Sequence, residues 1–114
     1  MRIEREVRLV HCGDGRIKKE YELSGPVSRE FTGSCRPFGE VRIIEGLKKP
    51  FFTFLIPDRL NIKGFIGEPV IEAWFFPAYV VSGEQFLVRL FSGYGDNGSR
   101  AVIDEEYRRL LEPE

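Results

Sequence analysis

Gly93, Gly95 and Gly98 stand in the G-x-G-x-x-G spacing that lets a backbone approach a phosphate near a helix N-terminus. Arg100, two residues further on, is the nearest charge partner for an anion held there. The same string, Gly-Tyr-Gly-Asp-Asn-Gly, equally suits a hairpin or bulge loop, and Asp96 places a negative charge where a phosphate would sit. A dinucleotide site also needs a strand–helix–strand unit, which the surrounding sequence does not supply. What remains is a ligand loop of Gly93, Gly95, Gly98 and Arg100. Glu72 lies inside V-I-E-A-W-F-F, on one face with Val70, Trp74 and Phe76 if the strand is regular. A carboxylate among rings is a candidate ligand anchor. The simpler expectation is an ion pair with Arg89 on a neighbouring strand.

His11, Cys12 and Cys35 are the metal-ligating residue types beyond the carboxylates. Structural zinc takes four ligands in paired knuckles, and neither C-x2-C nor H-x3-H spacing occurs, so no metal and no cofactor is expected. Nucleophilic catalysis would need a base beside Ser or Cys, yet His11 is the only histidine and Cys12 follows it directly. Adjacent strand residues point to opposite faces, so His11 cannot readily activate Cys12. Cys35, next to Arg36 in a glycine–proline loop, is the better candidate for a reactive thiol. Two free or buried thiols are the simpler reading, and a Cys12–Cys35 disulfide is not expected in a reducing compartment. No catalytic constellation is complete, so the sequence points to binding rather than catalysis.

The totals narrow the class further. A chain of 114 residues is expected to form one domain, residues 1–114, large enough for a core without disulfides or metal. Seventeen basic and eighteen acidic side chains leave a net charge of −1, which disfavours a general nucleic-acid binder. Basic residues do interleave with aromatic ones at Arg36-Pro37-Phe38, Lys48-Lys49-Pro50-Phe51 and Arg89-Leu90-Phe91, as an OB-like single-strand binder would need. The aromatic fraction of 13% is high, so rings must either fill the core or form a contact surface. The first residues carry no apolar leader segment and the apolar runs are too short to span a bilayer, so a cytoplasmic protein without membrane contact is expected.

The elements that would position these residues can be read from periodicity. Residues 2–10 and 16–23 alternate in polarity and predict an antiparallel hairpin. A three-residue loop Gly13-Asp14-Gly15, with Gly15 left-handed, would pair His11 with Ile17, Arg8 with Glu20 and Val7 with Tyr21. Further strands are expected at 27–32 (an edge strand), 41–45, 51–56 and 70–76. Phe51 to Ile56 is apolar on both sides, so its second face needs a cover. Residues 57–61 suit a single helical turn and 62–68 a loop or short strand. Ser82-Gly83-Glu84 predicts a turn into a strand over 85–91, with Phe86, Val88 and Leu90 on one face. Arg100 to Ile103 suits a short strand, and Asp104 caps a helix to about Glu112.

These elements sum to a mainly β domain, α+β at most. It would be an antiparallel small barrel or sandwich of roughly six to eight short strands with one short C-terminal helix. The function this supports is a small non-catalytic domain that binds another protein or its own copy. The expected surface is aromatic and near residues 70–80: Trp74, Phe75, Phe76 and Tyr79. Alternative readings are a ligand-binding or enzymatic barrel with loop 93–98 at its mouth, and an OB-like single-stranded nucleic-acid binder.

Overall fold

A computed structural model describes residues 1–93 and 100–112. The alternating N-terminal segments form β1 (Ile3–His11) and β2 (Ile17–Leu23), an antiparallel pair. Their loop is the expected one: Cys12 and Arg16 close it, Gly15 has φ +90°, and His11 lies opposite Ile17 and Arg8 opposite Glu20. Glycine adopts that left-handed backbone without a Cβ clash. The expected Val7–Tyr21 pair does not form. The register slips between Glu6 and Arg8 and again between Ile3 and Arg5, so Glu6 faces Tyr21 and Val7 is displaced towards solvent. Such bulges bend an edge strand and discourage further pairing.

Four more strands complete the sheet: β3 (Glu40–Ile44), β4 (Phe51–Ile56), β5 (Leu60–Phe65) and β6 (Val70–Phe75). They join one six-stranded antiparallel sheet in the order β1-β2-β6-β5-β4-β3. The sheet is open, with β1 and β3 as its two edges, so neither a closed barrel nor a second sheet forms the other layer among the described residues. That layer is helical. Residues 57–59 are a hairpin turn with Asp58 left-handed in place of the expected helical turn, and the chain passes from it straight into β5, so the short strand rather than the loop forms over residues 62–65.

Three segments expected as strands are helices instead. Ser28 accepts a hydrogen bond from the Phe31 backbone N–H at 3.1 Å and caps α1 (Arg29–Cys35), which occupies the place of the expected edge strand. Strand β6 stops at Phe75, and Pro77, which cannot donate to the ladder, starts a 3₁₀ turn (Pro77–Tyr79) that runs into α2 (Val80–Gly93). The buried residues of α2 include Gly83, Phe86, Leu87, Leu90 and Phe91, spaced in a helical period, while Val88 is exposed. The helical period of that stretch prevails over the two-residue alternation of Phe86, Val88 and Leu90. Arg100 to Ile103 is the first turn of α3 (Arg100–Leu111), not a strand.

The core lies between the helices and one sheet face. Tyr21, Leu23, Phe52, Phe54, Ile56, Leu60, Ile62, Ile71, Ala73 and Phe75 point into it from the strands. Phe31 of α1 stacks on Phe91 of α2 with centroids 4.5 Å apart, and Phe38 meets Phe86 and Tyr107 edge-on at 5.5 and 5.0 Å. Burying each of these large side chains stabilises the fold by roughly 1.5–3 kcal/mol. Helix α2 approaches so closely at Gly83 that a Cβ there would lie 2.8 Å from the Phe75 ring.

Candidate functional site

With the helices on one face, the other face of the sheet is left open among the described residues. Strand register arranges its outward side chains in rows that run across the strands. At one end, Glu22 of β2 faces Val70, while Phe65 faces Phe51 and Phe51 faces Ile44. Val70 and Phe65 line one recess of about 230 Å³ with Phe51, Lys63, Glu68 and Glu72. The result is an apolar row, Val70–Phe65–Phe51–Ile44, crossing four strands, and Leu47 in the β3–β4 turn lies near Phe65. Phe51 and Phe65 meet edge-on at 5.2 Å. Val70, Phe65, Ile44 and Leu47 are 42%, 42%, 51% and 53% exposed, a contiguous apolar surface. Beside it, the Lys49 ammonium donates to Glu68.

The middle row is charged. It runs Arg8, Glu20, Glu72, Lys63, Thr53 and Arg42 from β1 to β3. Glu72 lies 3.8 Å from the Lys18 ammonium, which is 3.7 Å from Glu20. Its partner is therefore Lys18 rather than Arg89, which is on α2. The third row holds Val10, Lys18, Trp74, Asn61, Leu55 and Glu40. Three cations approach the Trp74 ring: Arg16 at 5.2 Å, Lys18 at 5.4 Å and Lys63 at 5.1 Å from its centroid. Trp74 Nε1 and Asn61 Oδ1, on facing positions of β6 and β5, are buried without a hydrogen-bond partner among the described residues.

The residues anticipated from sequence are dispersed over several surfaces. Trp74 and Glu72 are on the open face. Phe75 points the opposite way and is fully buried against the helices. Phe76 is half-buried at the end of β6, and the Tyr79 ring lies 4.0 Å beneath the Arg59 guanidinium, beside the core. Arg100 is in the helical layer, 4.9 Å over the Phe38 ring and bonded to Asp104 at 2.9 Å. Glu72 and Arg100 thus lie on opposite sides of the sheet and share no site. Gly93 is the buried last residue of α2, while Gly95 and Gly98 lie outside the described residues.

The thiol chemistry is also settled by placement. Cys35 is buried in α1 with its Sγ 3.5 Å from the Phe31 carbonyl, and burial pushes its pKa up to about 12. It is a packed thiol, in line with the simpler reading of free or buried thiols and against the reactive alternative beside Arg36. Cys12 is also free and half-exposed. Among the described residues no three His, Cys, Asp or Glu side chains converge as metal ligands, and no helix is long and apolar enough to cross a membrane.

A polar network ties α2 to the sheet. Glu84 Oε2 accepts from the Tyr21 hydroxyl at 2.5 Å and from Lys19 Nζ at 2.9 Å, and Lys19 also reaches Glu6 at 2.9 Å. Burial opposes charge on Glu84, but these two donors outweigh it and hold the carboxylate below its usual range. Burial and the adjacent carboxylate push the Tyr21 hydroxyl well above its ordinary value.

The sequence signal for the apolar row was β4, apolar on both sides and so in need of a cover. Phe65 carried no such signal because its segment contains Gly64 and Gly67. No known family model matches the chain, and no curated protein or solved structure is significantly similar to it.

Proposed function

We propose that this chain is a non-catalytic, self-assembling β domain that pairs with a second copy through the open face of its sheet. The observation that supports this reading is the exposed apolar row Val70–Phe65–Phe51–Ile44 with Leu47 beside it. An exposed apolar surface of this continuity loses free energy in water, at roughly 25 cal/mol per Å², and a second sheet laid on it removes that cost. Charged strands β1 and β2 flank the row and would form the hydrated rim.

The nucleic-acid alternative rests on Trp74 and its three cations. It is disfavoured by Glu20, Glu22 and Glu72 on the same face and by Glu68 beside the recess, which would repel phosphates. The glycine-loop ligand site loses its two polar anchors to opposite faces.

Phe65→Glu tests the reading, because it places a charge in the apolar row at a surface position where stability should change by at most about 1 kcal/mol. The variant is expected to retain its circular dichroism and to scatter light as a single chain at concentrations where the parent is paired. Neither protein should be retained on a single-stranded oligonucleotide column at low salt. A variant that pairs as well as the parent would overturn the reading, and salt-dependent retention of the parent would favour the nucleic-acid alternative.

A further inference from the structure

Resting on the self-association proposed above, the geometry points to one particular pairing. We infer that the two copies are related by a two-fold axis that runs along the strands, midway between β4 and β5, so that Glu72 of each copy faces Arg42 of the other. Homodimer interfaces are isologous, with the same patch on both sides, so only arrangements that oppose this face to itself need comparison. Stacked sheets pack about 10 Å apart with strands nearly aligned. An axis along the strands keeps each row opposite the same row of the partner and reverses the strand order.

Where the axis sits decides which side chains meet. Midway between β4 and β5, Phe65 opposes Phe51 and Val70 opposes Ile44, so the apolar row faces only apolar groups. In the charged row, Glu72 then opposes Arg42 and Lys63 opposes Thr53. One half-strand either way spoils this. An axis through β5 sets Lys63 against Lys63 and Glu22 against Ile44. An axis through β4 sets Lys63 against Arg42. An axis between β5 and β6 sets Glu22 against Phe51 and Arg8 against Arg42. Like charges facing each other in an interface are strongly disfavoured, as is a charge set against the apolar row. In the inferred pairing the third row sets Asn61 against Leu55 and Glu40 against Trp74, where the carboxylate falls among Arg16, Lys18 and Lys63.

Both partners of the inferred contact are free enough to make it. Arg42 is 73% exposed in its side chain and, among the described residues, is paired with Glu40 of its own strand at 2.7 Å, and Glu72 is 40% exposed. The overlap of four strands about 4.8 Å apart, each rising about 3.3 Å per residue, is roughly 19 by 20 Å. That is roughly 380 Å² of sheet per copy, or about 760 Å² in all, below the size of a standard stable interface, so weak, concentration-dependent pairing is expected.

The test is a charge exchange read by sedimentation. Arg42→Glu alone and Glu72→Arg alone should each weaken pairing on the order of tenfold, because two like-charge contacts replace two attractive ones. An equimolar mixture of the two single variants should pair like the parent, since both contacts in the mixed dimer are again between opposite charges. The double variant should do the same. If the parent pairs but the single variants pair equally well, or the double variant fails to recover, this register is wrong while self-association stands. If the parent does not pair at all, both the register and the function fail.

Discussion

Glu84 is the residue through which helix α2 is held to the sheet by polar contacts. Tyr21 is almost fully buried, and its hydroxyl donates to Glu84. Removing that hydroxyl by Tyr21→Phe deletes a hydrogen bond to a charged group and should destabilise the fold by roughly 1.5 kcal/mol. The accompanying fall in thermal midpoint would be about 6 °C for a chain of 114 residues. A variant that melts with the parent would show the contact to be energetically idle. The same network sets a pH dependence. Glu84 has its folded pKa depressed, so its contribution is present above the ordinary 4.5 and is lost as pH falls through the lower folded value. Lys19 and Tyr21 have raised folded values, so theirs are complete below about pH 10 and are lost as pH rises beyond it. Denaturant midpoints measured across pH should therefore fall below about pH 4 and above about pH 10, and Glu84→Gln should flatten the acid limb. An acid limb unchanged in that variant would place the pH dependence elsewhere. At the thiols, Cys12 should alkylate in the native protein and Cys35 only after denaturation. Native labelling of Cys35 would contradict its burial.

Among the elements, the contact between α2 and β6 is the most demanding. Gly83 sits within α2 where a methyl group would come within 2.9 Å of two Phe75 ring atoms. Gly83→Ala raises intrinsic helix propensity by about 1 kcal/mol, yet overpacking against a buried ring costs roughly 1–3 kcal/mol. The net expectation is a lower thermal midpoint, and a raised one would mean that the helix can shift off the sheet freely. This glycine also explains how far the sequence was legible. Between Ser82 and Glu84 it has the composition of a turn, whereas its role is close approach of a helix to a ring. Strands whose alternation was unbroken or whose apolar run was dense, β1, β2, β4 and β6, were legible, and so was the three-residue hairpin loop. Helix α2 was not, because its phenylalanines and valines suit strands as well and its helical spacing coexists with a two-residue alternation. Helix α1 is too short, at seven residues, for periodicity to declare it, and its Ser28 cap was the only local sign.

At the scale of the molecule, a single open sheet with helices on one side explains why aromatic residues crowded into one stretch do not make one surface. Trp74 and Phe75 are neighbours in sequence and lie on opposite faces, one among cations and one in the core. Strand order was invisible in the sequence, and strand order is what assembles the apolar row from β3, β4, β5 and β6. The charged strands β1 and β2 then fall to one side, leaving the apolar row for a partner. If that row joins two copies, the mass in solution must depend on concentration. Sedimentation equilibrium of the unmodified chain, from about 1 to 100 µM, should show the mass rising from one 13.2 kDa chain towards two. A mass that stays at one chain across that range would contradict pairing through the row.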